Sequence, residues 1–246
     1  MKFPTFKFLL YFCLGIAFTS CGKKNTEPPV NTVPSDFHGI PPEGIGGDSS
    51  LNLKKNRWVA PQAYNDMTVA DIIALPNDKL LAMGSENRYA WTSAAAAQAA
   101  AGEAKSVSVT GYIAGVKEEG PEACNGSSGI YDDFHIWITG SPGLDKSNGI
   151  IAEAIPYWKE RFPAWQLAAF EKLASENAQV RVSGWILWDE DHPEELGKSR
   201  ASLWEVHPLT KFEVFSGGSW QELTADHWKD HQKIRSKRSA ALITFP

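Results

Sequence analysis

Apolar and polar residues alternate in five separated stretches of the second half of the chain. These are VSVTGYIAGV (107–116), DFHIWITG (133–140), GIIAEAI (149–155), VRVSGWILWD (180–189) and LWEVHPLTKFEVF (203–215). A period of two sends successive side chains to opposite faces of a strand. Phe134, Ile136 and Ile138 therefore share one face, and Asp133, His135 and Trp137 the other. Between the third and fourth stretches lies AWQLAAFEKLASEN (164–177), with Trp165, Ala169 and Leu173 at helical spacing beside Phe170 and Ala174. That spacing predicts an amphipathic helix. Three strands, a helix and two strands predict a mainly β fold, a small five-stranded barrel over residues 105–215.

Upstream the pattern loosens. Residues 62–104 read as a partly helical connector with broken apolar periodicity at Met67, Val69, Ile72, Ile73, Leu80 and Leu81. Thr68, with Asp71 three residues on, predicts the N-cap of a short helix that ends before Pro76. The alanine-rich run from Ser93 to Ala104 has helix propensity but no large apolar stripe. Residues 21–61, rich in Gly, Pro, Asn, Ser and Asp, read as a flexible tether. Residues 216–246 form a C-terminal extension in which Trp220, Leu223, Ala225 and Trp228 could pack, followed by the basic HQKIRSKRS.

Residues 1–20 change the picture of location. Lys2 and Lys7 precede an apolar run from Phe8 to Phe18, and Thr19 and Ser20 precede Cys21. A basic start, a short apolar core and small residues predict an export signal. The segment FTSCG resembles the lipobox of bacterial lipoproteins, although Phe18 stands where that family places a branched aliphatic residue. The resemblance implies lipidation of Cys21 and attachment of an exported chain to the bacterial envelope through its acyl chains. Removing the signal takes away two lysines and no acid, which moves the net charge from −5 to −7. An acidic surface disfavours non-specific nucleic-acid binding, so nucleic acid is an unexpected partner. Cys124 would be the one thiol left, which predicts no internal disulfide.

The order of segments over 105–215 resembles the oligonucleotide/oligosaccharide-binding barrel, the OB-fold, as found in exported bacterial domains. The resemblance implies a lateral binding face and dictates no chemistry. Tyr112, Trp137 and Trp185 are candidates to stack on a ligand there, and Trp188 and Trp204 are candidates for the core. Arg181, Lys198, Arg200 and Lys211 add positive charge, countered by Asp189, Glu190, Asp191, Glu194 and Glu195.

The densest chemistry lies in two pairs, Asp133 with His135 and Glu205 with His207. Each pair is two residues apart on an extended strand, so its members share a face. Glu153 and His192 are their candidate neighbours. Imidazole nitrogen and carboxylate oxygen together suit a divalent ion such as zinc, and equally suit a hydrogen-bonded structural set. No nucleotide-binding glycine loop follows a strand, and no serine sits in GxSxG. The resulting expectation is a membrane-anchored envelope module that binds a protein or glycan ligand, more a binding domain than an enzyme, with no cofactor required. The alternative is a metal-dependent hydrolase or nuclease built on the His/carboxylate residues.

Overall fold

All five alternating stretches are strands in the structure, a computed structural model that describes residues 34–121, 126 and 129–224. Two further strands join them. In chain order they are β1 (Asn65–Thr68), β2 (Ser106–Pro121), β3 (Asp132–Thr139), β4 (Ile150–Ala154), β5 (Gln179–Trp188), β6 (Trp204–Ser216) and β7 (Ser219–Glu222). The helices are α1 (Ser49–Lys55), α2 (Val69–Ile73), α3 (Asp78–Leu81), α4 (Ser93–Glu103), α5 (Pro156–Arg161) and α6 (Leu167–Ser175).

The strands form one mixed sheet in the order β1-β2-β3-β4-β6-β5, with β7 on β6 and an additional β2–β5 pairing. The sixteen-residue β2 is long enough for three partners. Its first half pairs antiparallel with β5 and parallel with β1, and its second half pairs with β3. The expected five-stranded OB-like barrel is thus corrected to a seven-stranded mixed sheet. The two extra strands, NDMT and SWQE, are short and largely exposed, so they carry no alternation to read. Backbone pairing recruits them, helped by a few side chains: Trp220 meets Phe215 at 5.2 Å, and Asn65 donates to Ser106 O at 3.0 Å. β7 folds back on β6 through Gly217–Gly218, both with positive φ, the dipeptide a tight hairpin needs.

One face of the sheet builds the core. Val107, Val109, Ile136, Ile138, Ala152, Val182, Ile186, Val206 and Phe212 are all fully buried in one cluster. α6 closes it: Phe170 meets Phe134 edge-on at 6.3 Å and Phe212 at 5.0 Å. Trp188 and Trp204 pack edge to face at 5.2 Å inside, as expected for core residues. α2 starts where Thr68 and Asp71 exchange hydrogen bonds in a capping box. α4 packs by smallness rather than by an apolar stripe: Ala95, Ala99 and Gly102, spaced three and four apart, turn inward. α5, begun by Pro156 at its first turn, has no counterpart among the sequence expectations, because six residues are too few to display a period. α1 falls in the stretch read as tether, and Asp48 caps it through bonds from the Ser50 and Leu51 amides.

β5 and β6 cross closely at Gly184. A methyl group there would sit 2.2 Å from the Pro208 carbonyl oxygen and 2.9 Å from Val206 Cγ1. Gly184→Ala is therefore expected to push β6 outward and lower stability by about 1–3 kcal/mol. Urea unfolding checks this, and an unchanged midpoint would show that the two strands can separate freely. Because His207 precedes Pro208, the same substitution disturbs the polar face described next.

The segment expected to direct export and lipidation, residues 1–20 and Cys21, lies outside the described residues, as do Cys124, Ala225, Trp228 and the basic tail. Among the described residues, no helix is long and apolar enough to cross a membrane.

Candidate metal centre

The face opposite the core carries the acids and histidines. On β3, the apolar set Phe134, Ile136 and Ile138 turns inward, which forces Asp133 and His135 outward. Antiparallel register places His135 opposite Glu153 on β4. Parallel pairing of Ala152 with Val206 brings Glu153 beside the outward residues of β6, Glu205 and His207. Three strands separated by up to seventy residues thus deliver five ligand-type side chains to one patch.

The patch contains two groups able to hold a metal ion: Asp133, His135 and Glu153, and Glu153, Glu205 and His207. They share Glu153. In the first, His135 Nε2 lies 3.3 Å from Glu153 Oε2 and 3.9 Å from Asp133 Oδ1. Two atoms each about 2.1 Å from a tetrahedral ion are roughly 3.4 Å apart, so this spacing suits such an ion. In the second, His207 Nδ1 lies 2.9 Å from both Glu153 Oε2 and Glu205 Oε1. Those are hydrogen-bond lengths: the Nδ1–H is shared between two carboxylates.

Access also separates the groups. His207, Glu205 and Glu153 are buried. Asp133 and His135 line an open cleft of about 450 Å³ whose walls include Lys55, Lys117, Glu119 and His192. Asp133 is as buried as Glu153, so His135, which is partly exposed, is the residue of the outer group that meets solvent, and Glu153 joins it to the inner group.

The charges are interlocked. Burial alone would lower His207, but the carboxylates of Glu153 and Glu205 push it up to about 10. Burial opposes ionisation of Glu153, yet the His207 and His135 imidazoles hold its carboxyl well below the usual range. Glu205 moves the other way: burial raises it, against the bond from His207 and with help from the charges of Asp189 and Glu153. His135 is raised, since Glu153 overcomes its desolvation. Glu153 is thus the anionic hub of the patch. Glu153 Oε1 and His207 Nε2 are buried and have no hydrogen-bond partner among the described residues. Buried polar atoms rarely stay unpaired, and a cation would satisfy the Glu153 oxygen.

A second ring of contacts holds the hub. Arg200, fully buried, donates to Asp189 Oδ2 at 2.7 Å, to Glu195 Oε2 at 2.7 Å and to Glu205 Oε2 at 3.3 Å. Asp189 in turn binds His192 Nδ1 at 2.9 Å. Of the candidate residues Asp133, His135, Glu153, Glu205, His207 and His192, the structure brings the first five together, and His192 shares the cleft lining with Asp133 and His135. From the sequence, Asp189 and Arg200 read only as opposing surface charges, not as the pair that holds the centre. The spacing Asp189-x-x-His192 is the signal the sequence offers for this second ring. Tyr112, Trp137 and Trp185 do not line the cleft. Trp137 is buried under Lys146, whose Nζ sits 3.9 Å from the ring, and Trp185 is covered by Arg57 and donates to Val59 O at 3.2 Å.

No protein-family model matches this chain, and no curated protein does. Among solved structures, the crystal structure of yeast Stn1 and Ten1 is similar at 12% identity, covering 74% of this chain and 76% of that one, with a TM-score of 0.33. The likeness is distant and partial. It carries no argument about partners, and net charge is a global quantity that does not decide what a cleft lined by Lys55 and Lys117 together with Glu119, Asp133, Asp191 and Glu195 accepts. The reading of nucleic acid as an unexpected partner, drawn from net charge, is therefore corrected. Two metal-capable groups, one facing a cleft, likewise correct the expectation of a lipoprotein-type OB-fold module that is more a binding domain than an enzyme.

Proposed function

We propose that the chain is a metal-dependent hydrolase whose divalent ion is held by Asp133, His135 and Glu153. The observation that carries this reading is the convergence of those three ligands, Asp133 and His135 on the wall of an open cleft and Glu153 buried beside His135. Three protein ligands leave a further position for water, and a bound divalent ion would acidify that water for attack on an ester or phosphodiester. The chain's own residues do the rest. Glu153 supplies charge to the ion while His207, Glu205 and Arg200 fix its orientation from beneath. Outer contacts of this kind set ligand geometry and tune affinity. Lys55 and Lys117 are on the cleft walls, paired with Asp191 at 3.4 Å and with Glu119 at 2.7 Å.

Calorimetric titration of chelator-treated protein with Zn²⁺ and Mn²⁺ is expected to give one site per chain, and His135→Ala to lose at least tenfold in affinity. Metal-dependent turnover is then sought with p-nitrophenyl acetate, bis(p-nitrophenyl) phosphate and a single-stranded oligonucleotide. Absence of both a stoichiometric site and metal-dependent turnover would reject the reading.

A further inference from the structure

The metal-holding group uses one side of the cleft and leaves a histidine of the same cleft without a task. His192 precedes the short 3-10 turn Pro193–Glu195 and is about half-exposed, with 45% of its side chain accessible. Its Nδ1 is committed to Asp189 Oδ2 at 2.9 Å. Asp189 is itself pinned, by the Asp191 amide at 2.9 Å on Oδ1 and by Arg200 at 2.7 Å on Oδ2. A carboxylate fixed in this way makes Nδ1 the donor to it and fixes the ring, so the other nitrogen becomes the working end. Nε2 makes no hydrogen bond among the described residues.

We infer that His192 is the proton donor of the cleft, delivering its Nε2 proton to the leaving oxygen of an ester bound at the Asp133–His135–Glu153 centre. The inference rests on the hydrolase reading above and assigns it a catalytic acid. In the step, water adds to the electrophilic centre and the bond to the leaving oxygen breaks. The bonding pair goes to that oxygen, which takes the His192 proton. The proton released by the attacking water returns to the imidazole through solvent. Ester plus water thus gives acid plus alcohol, with no other reactant.

The surroundings suit a group that must carry a proton at neutral pH. The hydrogen bond that His192 donates to Asp189, opposed by burial and aided by the carboxylate's charge, pushes His192 up to about 9. Arg200, tied to Asp189 on one side and to Glu205 on the other, links this dyad to the carboxylates that hold His207 and Glu153. The acid and the ligand set therefore share one rigid frame. A staple that merely closed the loop would have no need of a free, solvent-facing ring nitrogen.

The leaving group supplies the test. p-Nitrophenolate departs without a proton, whereas phenolate and alkoxide need one. Full-length wild type and His192→Gln are compared on two pairs, p-nitrophenyl acetate with ethyl acetate and bis(p-nitrophenyl) phosphate with diphenyl phosphate. In the series that the wild type hydrolyses, His192→Gln is expected to slow the poor-leaving-group ester by about 100-fold or more relative to the activated one. Metal stoichiometry is expected to be kept. Equal slowing of both members overturns the assignment and leaves the hydrolase standing. Loss of the metal site would make His192 a ligand and also overturn it. A wild type inactive on every ester sinks the hydrolase reading and the acid with it.

Discussion

Glu153→Gln is expected to abolish stoichiometric metal binding and to lower stability by about 3–5 kcal/mol, although it changes the side chain's shape very little. Glu153 is the single residue common to both ligand groups. Its Oε2 faces His135 Nε2 at 3.3 Å and His207 Nδ1 at 2.9 Å. An amide oxygen carries no charge to offset an ion, and the amide nitrogen would point a donor at groups that already donate. The outer site loses its anionic ligand, and the buried imidazole keeps only Glu205. Breaking one partner of a buried ion pair costs more than the pair contributes, because the remaining charge is stranded. Elemental analysis and urea unfolding measure the two effects. Retention of wild-type metal content would remove Glu153 from the site. If the variant fails to fold, Asp133→Asn asks the metal question at a position away from the His207 contact, and unchanged affinity there would equally count against the proposed ligand set.

The second large effect is a loss of stability in alkali. An exposed histidine titrates near 6.5, whereas His207 in the folded protein is held at about 10. The folded state keeps its proton to higher pH than the unfolded chain does. Below about pH 6.5 both states are protonated and the contribution is complete. It declines as pH rises and is gone above the folded value of about 10. Each pH unit in that window is worth about 1.4 kcal/mol, so roughly 3 kcal/mol is expected to disappear between pH 6 and pH 9. Glu153, shifted downward, works on the other flank: its contribution is present above the ordinary carboxylate range and is lost as pH falls through its depressed value. Stability should therefore be greatest in mildly acidic to neutral solution. Urea midpoints in the presence of a chelator at pH 6 and pH 9 check this. Equal midpoints would mean that His207 is neutral in the fold and that its proton does not bridge the two carboxylates.

The alternation of DFHIWITG and LWEVHPLTKFEVF was enough to place Asp133 with His135 on one face and Glu205 with His207 on one face. Side-chain direction along a strand is a local property with a period of two, so it can be read from neighbours in the chain. The same local rule marked the core set Phe134, Ile136, Ile138 and Val206, and the Thr68–Asp71 cap. Tertiary structure decided everything that depends on which strand lies beside which. The pairing of His135 with Glu153 and of Ala152 with Val206 joins two harmless-looking dipeptide patterns through a third strand. The strands β1 and β7 exist because edges of β2 and β6 offer unpaired backbone groups, and backbone pairing leaves little trace in side-chain type. Arg200 buries its charge because Asp189, Glu195 and Glu205 surround it, a condition met only once the loop after β5 folds back on β6. The sequence by itself thus determined which side chains share a face. Only the long-range register determined that those faces meet around Glu153, because register is set by contacts between residues distant in the chain.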